Sequence, residues 1–153
     1  MNVERIYMAE KPGGEQIDCE SISVVTGAGI EGDRVLGHRD EPGQNITLIE
    51  AEVVEDFIQE QGRPRDLSIT HRNILTRGVR LNELVGREFA IAKVRLRGVE
   101  LCEPCLGLGT ALATAEFSAA DIVKRLVHKG GLRAGSTSNE IQKFSQCSPA
   151  HGR

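Results

Sequence analysis

The sequence predicts a mainly β protein, a small barrel or sandwich decorated by helices. Three observations carry that expectation. About six short segments rich in β-branched and aliphatic residues are separated by glycine and proline turn signals. Regular strand–helix alternation is missing, which argues against a doubly wound sheet. Glycine is frequent, at 17 of 153 residues, and favours tight turns over long helices. Only 3% of residues are aromatic and none is Trp, so the core has to rest on Val, Ile, Leu and Ala.

Ile6-Tyr7-Met8-Ala9 reads as the first strand and is stopped by Pro12-Gly13-Gly14. Ile22–Val25 is the second, with β-branched residues. The loop Gly27–Arg34 is glycine-rich like a phosphate cradle, but it lacks the Gly-Lys-Ser/Thr ending of a nucleotide loop. Ile46–Ile49 is a third strand and runs into the clearest helix, from about Glu50 to Gln61. There Val53, Val54, Phe57 and Ile58 recur at helical spacing, opposite an acidic face. Gly62 and Pro64 end it. Ile74–Thr76 is a short strand, and Leu81–Gly86 a single helical turn. Glu88–Ala92 and Val94–Arg97 alternate with period two, the second extending to Leu101. Ser118 with Asp121 starts a helix that runs to about His128, with Lys124, Arg125, His128 and Lys129 near its C-terminal end.

Composition excludes several classes. A stretch of ~20 apolar residues, the length needed to span a bilayer, does not occur. The start Met1-Asn2-Val3-Glu4-Arg5 lacks the features of a signal peptide, so a cytoplasmic, reducing setting is expected, with Cys19, Cys102, Cys105 and Cys147 free or ligated. Charge is uneven. Residues 1–60 hold four basic and fourteen acidic side chains, whereas residues 61–100 hold nine basic, eight of them Arg, and four acidic. Overall acidity and the scarcity of stacking aromatics argue against nucleic acid. An Arg-rich middle suits a small anionic cofactor.

Cys102-Glu103-Pro104-Cys105 invites three readings: a zinc site, a reversible disulfide, or one packed and one exposed thiol. Zinc wants about four ligands and only one close pair is present. Cys102 closes an apolar strand and is expected in the core, while Cys105, beyond Pro104, is expected to face a cleft. Anion donors are sought in His71-Arg72-Asn73, in the Asp33, Arg34, His38 and Arg39 cluster, and in His128-Lys129-Gly130-Gly131-Leu132-Arg133, whose glycines would let backbone N–H groups approach a ligand. Each of these has an equally simple structural reading, as a polar strand end, a loop or a helix C-cap.

Six segments in order make the sequence resemble the MOSC family, named for the C-terminal domain of molybdenum cofactor sulfurases, and its small stand-alone bacterial members in particular. They are 29–34, 44–50, 72–78, 81–86, Glu103-Pro104-Cys105 and 128–134. The resemblance implies a closed or nearly closed β-barrel of the pyruvate-kinase-barrel-like kind, with two or three short helices, over residues 1–134. It implies that Cys105 is the working cysteine, either a sulfur carrier or a molybdenum ligand. Asp33, Arg34, Arg72, Asn73, His128, Lys129, Gly131 and Arg133 would then hold the phosphate of a molybdenum-pterin cofactor or stabilise the thiolate. Pyridoxal phosphate would enter only through a partner cysteine desulfurase, and molybdoenzymes would be the acceptors. The alternatives are a molybdenum-pterin-dependent reductase of N-hydroxylated compounds and a non-catalytic zinc or redox module using both cysteines. The segment 135–153 departs from the family pattern. Its polar composition fits a disordered tail, and a missing last strand would leave an edge open to homodimerisation.

Overall fold

The computed structural model describes residues 1–34 and 45–137 and the backbone of 142–145. Among the described residues ten strands lie in two sheets. The larger has seven strands in the order β2-β1-β6-β5-β9-β8-β7. Its members are β1 (Asn2–Met8), β2 (Ile17–Asp18), β5 (Ile46–Glu50), β6 (Ile74–Arg77), β7 (Glu88–Ile91), β8 (Val94–Leu101) and β9 (Leu132–Ser136). The smaller holds β3 (Ser21–Val25), β4 (Gly29–Ile30) and β10 (Gln142–Ser145) in the order β10-β3-β4. Three helices, α1 (Ala51–Glu60), α2 (Leu106–Leu112) and α3 (Ala119–Leu126), and a 3-10 turn at Leu81–Leu84 complete the fold.

The large sheet curls strongly into a half-barrel, and the expectation of a closed or nearly closed barrel is corrected: this one is open. The reason lies in the strand assignments. β2 and β7 are its two edges and do not pair. No described strand bridges them, and β3 pairs with β4 and β10 in the second sheet. The chain after Ala134 thus continues β9 to Ser136, and β10 then runs antiparallel to β3 from Gln142↔Val24 to Ser145↔Ser21. Residues 138–141 and 146–153, with Ile141 and Cys147, lie outside the described residues, as do His38 and Arg39.

Apolar alternation explains the inner face. Ile6, Val24, Ile46, Leu48, Ile74, Val94, Leu96 and Leu132 are all fully buried in one cluster. β5, α1 and β6 form the one parallel pair in the sheet, joined by the helix as parallel strands require. α1 buries Ala51, Val54, Phe57 and Ile58, as its spacing predicts. Val54 and Ile58 pack with Tyr7, Ile49 and Leu75 of the sheet, while Phe57 packs with Leu108 and Leu112 of α2 and Ile122 and Leu126 of α3. α3 starts on the complete Ser118/Asp121 capping box. Among the described residues no helix is long and apolar enough to cross a membrane.

Candidate functional site

Strand register brings the motifs together. Ile74, Leu48, Leu132 and Leu101 stand in one row across β6, β5, β9 and β8. His71–Asn73 leads into β6, Gly130-Gly131 leads into β9, and Cys102–Cys105 leaves β8, so three segments distant in sequence flank that row. The Cys102 N–H donates to the Gly131 carbonyl at 2.7 Å and prolongs the β8–β9 pairing by one step.

Arg72 lies at the centre of these segments. Its Nε donates to the Gly130 carbonyl at 2.8 Å, Nη2 to the Cys102 carbonyl at 3.1 Å and Nη1 to the Thr70 carbonyl at 3.3 Å. Burial pulls the pKa of this guanidinium down from its usual value. The neighbouring charges of Arg133 and Arg34 add to that, and the Cys102 and Cys105 sulfurs, when ionised, oppose it. Arg72 is thus within electrostatic reach of both thiols and of Arg34 and Arg133.

Asn73 is 1% exposed and its amide is spent inside the protein. Its Oδ1 accepts from the Thr47 N–H and hydroxyl, each at 3.1 Å, and its Nδ2 donates to the Tyr7 carbonyl at 3.1 Å and to Asp33 Oδ1 at 3.3 Å. Asp33 Oδ1 also accepts from the Ala9 N–H and from Arg34 Nη1, and Arg34 Nη2 donates to the His71 carbonyl at 2.9 Å. These polar groups tie β1, β5 and the 30–34 loop to the turn before β6. His71 sits there in a left-handed conformation, φ 58°. Burial first, then the Arg34 and Arg72 charges, hold its imidazole below the usual pKa, which favours the neutral ring.

The two cysteines part company. Cys102 is 2% exposed, whereas Cys105 is exposed. Cys105 is also the N-cap of α2, and its Sγ accepts from the Leu108 N–H at 3.4 Å. The sequence reading missed that helix. Leu108 and Leu112, four apart and both buried, carried its signal, but Gly107 and Gly109 obscured it. Gly109 is required by packing, because a Cβ there would stand 2.6 Å from the Ala119 carbonyl oxygen of α3.

In the 128–133 segment the residues take different parts. His128, φ 61°, is exposed, and both its N–H and its Nδ1 meet the Glu103 carboxylate, at 2.9 and 3.2 Å. Glu103, two residues before Cys105, went unremarked in the sequence except as part of the Pro-Cys motif. Lys129 is exposed and points to a cleft of about 470 Å³ shared with Glu50, Arg80, Asn82 and His128. Gly131, φ 105°, is there because β5 is close: a Cβ would lie 1.9 Å from the Leu48 carbonyl oxygen. Arg133, on β9, has Glu100 at 3.6 Å as its ion-pair partner.

Of the nine sequence-predicted site residues, Arg72 therefore interacts electrostatically with each of Cys105, Arg34 and Arg133. Asp33 and Asn73 serve this group from beneath, and His128 and Lys129 sit at the rim beyond Glu103. Cys105 does not line the clefts of about 850, 470 and 430 Å³ on the described surface. Among the described residues no group of three or more His, Cys, Asp or Glu side chains gathers to hold a metal ion. A molybdenum-pterin group asks less of the protein: one soft ligand and cations for its phosphate. The exposed Cys105 thiol and the loosely paired Arg133 fit that request.

Comparison with known proteins places the architecture. A family model described as the MOSC domain matches residues 35–144. The YuaD protein from Bacillus subtilis superposes with a TM-score of 0.76 at 17% identity, over 94% of this chain and 90% of that one. YiiM from Escherichia coli gives 0.63 at 16%, over 95% and 66%, and YiiM from Geobacillus stearothermophilus 0.69 at 12%, over 94% and 70%. At such identities the likeness is one of fold, and this chain spans only about two thirds of the YiiM proteins. No curated protein matches the sequence.

Proposed function

The chain belongs to the MOSC domain family, whose members are generally associated with the molybdenum cofactor, and on that premise we propose that it handles this cofactor or its sulfur through Cys105. The observation that carries the proposal is the contrast within the pair: one thiol buried at a strand end, the other exposed, near Arg72 and capping a helix. An accessible thiol at a chain turn, with a single N–H donor at its sulfur, is open to a partner protein or a metal ion.

As a carrier, Cys105 would attack the outer sulfur of a persulfide on a partner cysteine desulfurase. A new S–S bond forms at Cys105, the partner's S–S bond breaks, and the partner leaves as a thiolate. No external oxidant is consumed. Pyridoxal phosphate stays with the desulfurase, and a molybdoenzyme would take the sulfur.

As a ligand, the same thiolate would bind molybdenum while Arg133 meets the pterin phosphate. A bound group of that kind supplies two-electron redox chemistry, and reduction of N-hydroxylated compounds would follow with a separate electron donor. What favours this second reading is that the Cys105 sulfur has one hydrogen bond among the described residues and is otherwise open. A zinc or redox module using both cysteines is less well supported, since Cys102 is enclosed and no metal-binding group forms among the described residues.

The experiment is to incubate the purified protein with a cysteine desulfurase and cysteine, then weigh it intact. Metal content is measured in parallel on protein from a host that makes the cofactor. One added sulfur without molybdenum supports the carrier. Molybdenum retained through Cys105 supports the ligand. Neither sulfur nor molybdenum sinks the proposal.

A further inference from the structure

We infer that Arg72 is a positioning residue that holds the Cys105 loop in place. The inference rests on the reading of Cys105 as the working thiol and names what sets that thiol's position. The family resemblance would have Arg72 hold a phosphate or stabilise the thiolate. Its geometry serves another end.

All three guanidinium nitrogens donate to main-chain carbonyls, those of Thr70, Cys102 and Gly130. Two of these acceptors flank the strands that frame the site: Cys102 is the first residue past the end of β8 and Gly130 lies two residues before the start of β9. A Cβ at Gly130 would stand 2.3 Å from the Cys102 carbonyl oxygen and 3.2 Å from Pro104, so the two segments are in backbone contact. Their carbonyls converge on one point, and only a donor with several N–H groups in a fixed plane answers both at once. From that anchored Cys102 the chain has two residues, Glu103 and Pro104, before it reaches Cys105. Pro104 is buried and has a fixed φ, so the anchor at Cys102 sets where Cys105 and the first turn of α2 begin. Turning Arg72 toward a ligand would strand carbonyls that have been drawn together around it.

Charge and shape can be separated by substitution. Arg72→Lys keeps the positive charge but replaces the planar fork with a single ammonium. Arg72→Met and Arg72→Gln remove the charge. The measurements are hydrogen exchange by mass spectrometry, alkylation of Cys105 by iodoacetamide followed on its own peptide, and sulfur loading from a cysteine desulfurase with cysteine. We expect Arg72→Lys to behave like Arg72→Met. Exchange in the 101–109 and 128–132 segments should rise on the order of tenfold while β1 stays protected, and sulfur loading should fall by on the order of tenfold, as loss of hydrogen bonds from a charged donor implies. Should Arg72→Met not fold, Arg72→Gln takes its place. Wild-type exchange and wild-type loading in Arg72→Lys would overturn the inference, since charge alone would then suffice. Raised exchange with unchanged loading would overturn it too, because the loop would be loosened without consequence for the thiol. If the wild-type protein takes up no sulfur, the carrier reading falls by itself. Exchange and Cys105 alkylation then decide Arg72: values in Arg72→Lys that differ from wild type and match the uncharged variant support positioning, and wild-type values refute it.

Discussion

Asn73 offers the sharpest quantitative test of which polar residues are scaffold. Replacing it with Ala removes the partner of four polar atoms: the Thr47 N–H and hydroxyl, the Tyr7 carbonyl and Asp33 Oδ1. Asp33 Oδ1 keeps the Ala9 N–H and Arg34, and the Thr47 hydroxyl still accepts from the N–H of residue 73, so neither is orphaned. The Thr47 N–H and the Tyr7 carbonyl are left to count in full, at about 1–3 kcal/mol each for a buried group without a partner. Asn73→Ala should therefore cost about 2–6 kcal/mol, and lower Tm by on the order of 5–20 °C for a domain of this size. Thermal unfolding followed by circular dichroism measures it. Asn73→Asp adds a pH signature. An oxygen would replace Nδ2, 3.3 Å from Asp33 Oδ1, and two carboxylates that close raise the pKa of the pair above its unfolded value. For an acid with a raised folded pKa, stability is lost as pH rises above the unfolded pKa, so the Asn73→Asp deficit should widen between about pH 4 and pH 7. A Tm within about 2 °C of wild type for Asn73→Ala, small against the shift expected for one lost buried hydrogen bond, would refute the hub. A deficit of Asn73→Asp that does not change with pH would refute the carboxylate contact.

Other substitutions probe the same frame. Gly131→Ala combines a φ of 105° with a Cβ placed 1.9 Å from the Leu48 carbonyl oxygen. It should destabilise by about 3 kcal/mol or more in urea unfolding, and a loss below about 1 kcal/mol would contradict the close β5–β9 approach. His71 is held below its usual pKa of 6.5 by burial and by Arg34 and Arg72, so wild-type stability should fall as pH drops below that value, where the unfolded chain takes up the proton first. His71→Asn, which tolerates the left-handed φ of 58°, should flatten the change in Tm between about pH 7 and pH 5, and equal slopes would count against it. Burial raises the Glu50 carboxyl above its usual 4.5, an effect that the Leu81 N–H only partly offsets, so its ionisation opposes folding as pH rises above 4.5. Glu50→Gln keeps an acceptor for that N–H and should raise Tm at neutral pH, with the gain fading in acid. A gain that persists unchanged below the unfolded pKa would show that charge is not its source.

The sequence made some of this legible and hid the rest for identifiable reasons. Period-two alternation marks β8, and helical spacing marks α1, because each buries one face against a single core. The split between Cys102 and Cys105 followed from where an apolar run stops. Barrel closure did not follow, because it depends on which strands pair across the two sheets, and strand propensity does not choose a partner. α2 was lost because two glycines lower its helical propensity, while packing against α3 demands one of them. Asn73, Arg72 and Gly131 were recognised as significant, but their partners are carbonyls and amides from Tyr7, Thr47, Leu48 and Gly130. Those partnerships come from register and curl, which no local pattern in the sequence encodes.

The central claim is that one thiol, not a pair, carries the function. It is tested most directly by loading sulfur from a cysteine desulfurase onto wild type, Cys102→Ala and Cys105→Ser, and mapping the adduct by peptide mass. The account predicts one added sulfur on Cys105 in wild type and in Cys102→Ala, and none in Cys105→Ser. Equal loss in both variants, or an adduct that remains after Cys105 is replaced, would contradict it.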